Sequence, residues 1–376
     1  MKKAEIVEAR KPLKLSEAAV PKAPKDGAVV KLLYSGICHS DIHQIDNGFD
    51  VGGRFTCLTD NPLYQFPIVP GHEMAGVVHS LGSNAGSAEV KVGDRVAVFP
   101  WIGCNKCGYC NNGYTQFCKE KHHTMGFGAV PGGYSNYTTV VHHKFLVKVP
   151  ASMPLSIATM LPCSGITTYN AVTTALPAIQ KATTFKGKAS MLIIGAGGLG
   201  LWALQIAKSV LPTTTNIVVA DISEGKLGNA KDRGADATVA WEPSKSEEQI
   251  IKDTSQLGND DGYDAIIDFV NTGVTSTRAF ECLNTDGLQV CVGLFGGAAS
   301  FPLPVVALSE KGMKGVYVGR LQQLKDLFAL VEKNKLTPPP LVYYKLEEIN
   351  SALDLLRVGK INGRGIIKHE GANEDA

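Results

Sequence analysis

MLIIGAGGLGLWALQIAKSV, residues 191–210, is the stretch on which the fold turns. An apolar run, MLIIG (191–195), has the composition of a buried strand, and LGLWALQIAKSV (199–210) carries the apolar spacing of a helix. Between them lie Gly195, Gly197 and Gly200 at G-x-G-x-x-G spacing, in the strand-to-helix context that gives this motif its meaning. Gly195 permits the tight turn, Gly197 lets the backbone approach a pyrophosphate, and Gly200 allows helix and strand to pack closely. Gly198 and Leu199 open the helix, whose first N–H groups have no partner within it and face an anion. A second run, NIVVAD (216–221), ends on Asp221, about 20 residues beyond the glycines, where a carboxylate takes the ribose hydroxyls of NAD and repels the extra phosphate of NADP. A plain glycine turn is the alternative reading of the loop alone, and Asp221 weighs against it.

The alternation continues outward from this unit. EGKLGNAKDRG (224–234) is helical, YDAIIDFV (263–270) and LQVCVGLFG (288–296) are strand candidates, and TSTRAFECL (275–283) between them is helix-like. Strand and helix in turn imply an α/β fold with a parallel, doubly wound sheet running to about residue 316. Residues 28–37, 71–99 and 136–149 instead read as β-rich and glycine-punctuated, so the first 150 residues lean towards an all-β domain. LQQLKDLFALVEKNKL (321–336) and LEEINSALDLLRVGK (346–360) are helical, separated by the breaker TPPP (337–340). A chain of 376 residues exceeds the roughly 250 to 300 over which one core keeps growing, which again predicts two domains.

Charge and composition narrow the function classes. A net charge of +2 supplies no basic stripe for nucleic acid, and no run of about 18 apolar residues is present to span a bilayer. The start, MKKAEIVEARKPLKL, lacks the continuous apolar core of a secretory signal, so a cytoplasmic protein is expected. In that reducing compartment nine cysteines suggest metal ligands or catalytic thiols before disulfides.

Four of them fall in CNKCGYCNNGYTQFC: Cys104, Cys107, Cys110 and Cys118. Four thiolates gathered on one loop close a tetrahedron around zinc, leaving no open position, which is the form of a structural site. An iron–sulfur cluster and unligated core thiols are the alternatives. Lys106, Asn111 and Asn112 make a poor apolar core, which favours zinc. Such a site pins a loop and does no chemistry on a substrate.

A second set of donors is scattered: Cys38, His39, Ser40, Asp41 and His43 in GICHSDIH, His72 and Glu73 in PGHEMAG, and Cys163 in LPCSG. One imidazole and two thiolates with an open or carboxylate-occupied fourth position are the ligand set of a catalytic zinc. Taken singly, each has a bland reading as a turn residue or a buried thiol.

With GICHSD, PGHE, VGDRV (92–96), the four-cysteine loop, Cys163, the glycine loop and a C-terminal GR in this order, the chain resembles the zinc-containing medium-chain alcohol dehydrogenases, and within them the yeast-like branch. The resemblance implies a GroES-like catalytic domain (1–164 and 317–376) and a Rossmann NAD-binding domain (165–316). Cys38, His72 and Cys163 then hold a catalytic zinc, Glu73 is an alternate ligand, and Asp41 fixes the tautomer of His72. By the same resemblance Ser40 accepts the alcohol proton and His43 carries it to solvent through the coenzyme ribose. His39 and Arg364 contact the pyrophosphate, Lys226 the adenosine ribose, and Thr167 the nicotinamide, while Trp101 and Leu294 bound the substrate pocket. Two zinc ions and NAD per chain, a small alcohol or aldehyde substrate, and a homodimer or homotetramer through the nucleotide domain's sheet edge follow as expectations, with neither nucleic acid nor membrane as partner.

Two departures bear on the substrate. QIDNGFDVGGRFTCLTDNPLYQFPIVP (44–70) is roughly ten residues longer than the matching yeast-like loop and borders the substrate side, where loops set specificity. A second extension, ALPAIQKATTFKGKA (175–189), is expected to alter surface or subunit contacts. Cys57, Cys282 and Cys291 have no assigned role and are expected to be unligated. The expected activity is hydride transfer between a primary or simple secondary alcohol and NAD. A polyol or threonine dehydrogenase is the near alternative, and a non-catalytic nucleotide-binding scaffold the distant one.

Overall fold

The strand Ala189–Ile194 and the helix Gly198–Val210 form as their composition requires, in a computed structural model that describes residues 1–119 and 123–372. All six residues of the strand are buried, as a central parallel strand covered on both faces must be. Thr215–Asp221 and Ala237–Ala240 lie to one side of it, and Tyr263–Asp268, Leu283–Cys291 and Gly312–Gly315 to the other. Every neighbouring pair in this six-stranded sheet is parallel. Numbered along the chain from Ala189, the spatial order is 3-2-1-4-5-6, with the order reversing beside the glycine loop. The glycines behave as their positions require. Gly195 has φ +98°, and a Cβ on Gly200 would lie 1.7 Å from the Gly195 carbonyl oxygen.

The rest of the chain builds a seven-stranded sheet around Ala28–Ile37, which pairs with Glu73–Leu81, Arg364–Lys368 and Tyr137–Val140. It draws strands from the first 150 residues and from the last 36 alike. The chain returns to this sheet through the helices Leu321–Asn334 and Ile349–Arg357, whose buried residues recur at helical spacing (Leu324, Leu327, Phe328, Val331).

A 21-residue helix, Ile166–Lys186, joins the two sheets and packs against the nucleotide helix. The stretch 175–189, expected as an extension that alters surface contacts, is largely the second half of this helix. Its Ala175, Ile179 and Ala182 are buried, so that face is core. Pro177 sits inside it, where its ring removes one backbone donor. The long segment 44–70 is also structured: Gly48–Asp50 and Phe55–Cys57 pair as a hairpin, followed by a single 3-10 turn, Leu58–Asp60. Among the described residues no helix is long and apolar enough to cross a membrane.

Candidate active site and metal centres

The ends of three adjacent interior strands of the seven-stranded sheet meet at one place. Gly36 pairs with Glu73, and Gly365 pairs with Ile37, so Cys38, His72, Glu73 and Arg364 arrive together although they are up to 326 residues apart (364 − 38). A Cβ on Gly36 would stand 1.9 Å from a Glu73 carboxylate oxygen, so only glycine leaves room for this buried side chain. Cys163 comes from a different direction, on the wide helical turn Leu161–Gly165. That turn is closed by an i→i+5 bond from the Gly165 N–H to the Met160 carbonyl (3.1 Å).

The ligand atoms of Cys38, His72 and Cys163 all lie within 4.8 Å of one another, and all three residues are buried. His72 Nε2 is 3.1 Å from Cys163 Sγ. His72 Nδ1 faces Asp41 Oδ1 at 3.3 Å, which leaves the lone pair of Nε2 directed at the cluster. Burial opposes a charge on His72, yet the Asp41 carboxylate and the Cys38 sulfur outweigh it and hold the imidazole up to about 10. The Cys163 thiol and the His72 imidazole hold the Cys38 thiol well below its usual range, against burial. Two sulfurs with one imidazole are donors suited to zinc.

Glu73 is fully buried; its Oε1 accepts from the Ser164 N–H (3.1 Å) and its Oε2 from the Arg364 guanidinium. Burial pushes its carboxyl up while Arg364 pulls it down. Arg364, expected at the pyrophosphate, spends its guanidinium on Glu73, and its stem lies where a Cβ on Gly198 would be, 2.3 Å from Arg364 Cδ. It thus touches both the metal cluster's neighbour and the first turn of the nucleotide helix.

Ser40 Oγ lies 3.7 Å from Cys38 Sγ. His43 and His39, both half-buried, stand 6.1 Å apart; His43 packs on Phe49 (4.6 Å) and His39 on Phe295 (4.7 Å). Burial lowers both imidazoles below their usual value. Thr167 is buried in the first turns of the long helix. Trp101 is buried 5.6 Å from the His72 ring, its indole N–H donating to the Pro162 carbonyl (2.8 Å). Phe127 (4.8 Å from His72) and Tyr317 (5.7 Å from Trp101) complete an aromatic wall that the sequence reading missed. No spacing signal links these three rings.

Along the coenzyme side, a Cβ on Gly197 would meet nothing within 4 Å, so the space in front of it is free for a ligand's phosphates. Asp221 closes its strand with Oδ2 accepting from Ala196 N–H (2.7 Å) and Oδ1 from Ser223 N–H (2.9 Å), which ties it to the glycine loop. Lys226 is half-buried on the following helix. Leu294 is exposed and lines a cleft of about 300 Å³ between the hairpin residues Phe49–Gly52 and the loops after the fourth and fifth coenzyme strands.

Cys104, Cys107, Cys110 and Cys118 gather their sulfurs within 4.8 Å. The pairs Cys104–Cys110 and Cys107–Cys118 stand 3.9 Å apart, too far for a disulfide and close to the edge, about 3.8 Å, of a tetrahedron with Zn–S near 2.3 Å. Backbone N–H groups of Cys107 and Cys104 point at Cys104 and Cys118 sulfur (3.3 Å each), as thiolates require. All nine cysteines are free of disulfides, and Cys57, Cys282 and Cys291 fall in neither cluster.

Fold and site together define a two-domain metal- and dinucleotide-linked dehydrogenase. Residues 24–151 match the alcohol dehydrogenase GroES-like domain, and 198–333 match the zinc-binding dehydrogenase domain. The chain is 33% identical to an NAD-dependent alcohol dehydrogenase of Sulfurisphaera tokodaii over 98% of this chain and 99% of that one. An alcohol dehydrogenase of Geobacillus stearothermophilus is 30% identical over the same shares. Among solved structures, the alcohol dehydrogenase of Aeropyrum pernix superposes with a TM-score of 0.82 at 25% identity, covering 98% of this chain and all of that one (100%). The D-arabinose dehydrogenase of Sulfolobus solfataricus gives 0.79 at 25%, over 98% of each chain. The chain belongs to the zinc-containing medium-chain alcohol dehydrogenase family, with zinc and NAD as its cofactors.

Proposed function

We propose that this enzyme catalyses reversible hydride transfer between a primary or simple secondary alcohol and NAD, giving an aldehyde or ketone. The observation that carries the reading is the convergence of Cys38, His72 and Cys163 at strand ends that Arg364 joins to the coenzyme loop. When bound, zinc supplies Lewis acidity that eases ionisation of the alcohol hydroxyl, and NAD supplies the hydride acceptor.

The chain's own residues do the rest. Cys38, His72 and Cys163 hold the metal, and Asp41 keeps the His72 proton on Nδ1. Glu73, whose oxygens accept from Ser164 and Arg364, is the alternate ligand once released from them. Ser40 accepts the hydroxyl proton, and His43 passes it outward. Trp101, Phe127 and Tyr317 exclude water from the reacting carbon. Gly195, Gly197, Gly198, Leu199 and Gly200 present the helix N-terminus to the pyrophosphate, joined by His39 and Arg364 from the catalytic side. Asp221 and Lys226 take the adenosine ribose, Thr167 lies at the nicotinamide, and Leu294 is on the substrate side. The four-thiolate loop carries the structural zinc. On this reading residues 1–164 and 317–376 form the catalytic domain, and 165–316 the coenzyme domain.

The outer side of the edge strand Gly312–Gly315 has no partner strand among the described residues, and Leu303, Leu308 and Met313 beside it are exposed (76%, 85% and 48%). An open edge with an apolar flank suits a second copy, giving a homodimer or a tetramer built from it. Recording NADH formation across an alcohol panel, before and after chelation, tests the activity. Turnover that survives complete removal of metal would overturn it.

A further inference from the structure

Asp41 is fully buried and its two oxygens have different company. Oδ1 faces His72 Nδ1 (3.3 Å) and, more distantly, the Gln44 amide (3.4 Å). Oδ2 accepts from the Cys38 N–H (2.9 Å) and from the Tyr134 hydroxyl, which makes the shortest bond of the set (2.7 Å). A carboxylate pinned through one oxygen by two donors cannot rotate its other oxygen away from the imidazole.

The tyrosine is itself held with unusual closeness. Its ring is fully buried against Gly71, the residue before His72, where a Cβ would lie 2.5 Å from Tyr134 Cδ1. Its N–H donates to the Pro70 carbonyl (2.9 Å), and the preceding Gly133 N–H to Gly71 (2.6 Å). Gly126 and Gly132 also press on Gly71, each with a virtual Cβ within 2.5 Å of its carbonyl oxygen. Three glycines, Gly71, Gly126 and Gly132, thus leave the room that brings one phenol to one carboxylate, beside the backbone that carries His72.

We infer that Tyr134 is a positioning residue for the catalytic metal: by fixing Asp41, it fixes the tautomer and ring plane of His72 and so slows loss of the metal. The inference rests on the reading of Cys38, His72 and Cys163 as metal ligands. Tyr134 is fully buried with its hydroxyl on Asp41, so its effect appears in metal retention before it appears in turnover. Groups that orient a metal-bound histidine change metal affinity by about 10- to 100-fold.

The chain carries its own control, because the four-thiolate zinc lies on a separate loop and shares none of these contacts. Zinc-loaded wild-type holoenzyme and Tyr134→Phe are mixed with an excess of a chromogenic chelator, and the two release phases are followed separately. Tyr134→Phe keeps the ring and loses only the hydroxyl. The expected result is release from the buried site about tenfold faster or more, with the four-thiolate phase unchanged. In an Asp41→Asn background the same substitution adds nothing further. Equal acceleration of both phases, or a lowered melting temperature with unchanged release, overturns the inference by making Tyr134 merely structural. Should wild-type protein bind a single zinc, the metal-site reading fails; two zincs with unaltered release in Tyr134→Phe sink the Tyr134 role alone.

Discussion

The two sulfur-rich centres of this chain are built in opposite ways. Cys104, Cys107, Cys110 and Cys118 lie within 15 consecutive residues, three of them partly exposed, and need only a loop to meet. Cys38, His72 and Cys163 are buried and come from the ends of two paired strands and a helical turn. A local site is saturated by its own sulfurs and holds a loop. A site assembled by the tertiary fold leaves a position that no sulfur fills, and catalysis needs that position.

The sharpest way to break this contrast is to remove a ligand from each. Cys163→Ser or His72→Ala is expected to abolish NADH formation and lower bound zinc from two ions to one, by elemental analysis, while the fold survives by circular dichroism. A variant that keeps both zincs and its turnover would erase the distinction. Next in size is the coenzyme side. Asp221→Ala removes a charged hydrogen-bond acceptor, worth about 1.5 to 3 kcal/mol, so kcat/KM for NAD falls about 10- to 100-fold and the preference over NADP narrows.

Cys110→Ser then tests the other half. With one thiolate gone the loop loosens, and the melting temperature drops by several degrees; at about 2 to 4 °C per kcal/mol for domains of this size, calorimetry resolves it. Turnover per folded molecule is expected to change less than in the first pair, because the loop reaches the active site only through contacts such as the Thr115 hydroxyl on the Trp101 carbonyl (2.6 Å). Smallest is an effect on thiols outside both centres. Burial pushes Cys282 and Cys291 up to about 11 each, so at pH 8 they are protonated and poor nucleophiles. Alkylation of these two rises only as pH approaches 11, and chelation leaves their rate unchanged. Rapid labelling of either at pH 8 would contradict this, most sharply for Cys282, which is buried where Cys291 is half-buried.

The same contrast explains what could be read in advance. The glycine loop, Asp221 and the four-cysteine run are contiguous or nearly so, and each carries its geometry in its spacing. Cys38, His72 and Cys163 were grouped through family likeness, because their meeting depends on the register Gly36↔Glu73 and on one wide turn. Neither leaves a mark in composition. Phe127, Tyr317 and Tyr134 were invisible for the same reason: an aromatic residue in a glycine-rich loop has no periodicity to betray what it faces. Arg364, expected on the pyrophosphate, pairs through its guanidinium with Glu73 while its stem lies against Gly198 of the coenzyme loop, a double contact set by strand order rather than by sequence proximity.

The wide turn at Leu161–Gly165 has a consequence at the level of the gene. It runs directly into the helix Ile166–Lys186, and each residue of a helix turns the chain by about 100°. Loss of one codon here would restore an ordinary turn and leave the helix's buried face in register downstream. The same lesion would swing the Cys163 sulfur about a quarter-turn away from Cys38 and His72. A deletion that local helix stability would favour is thus one that takes the metal site apart.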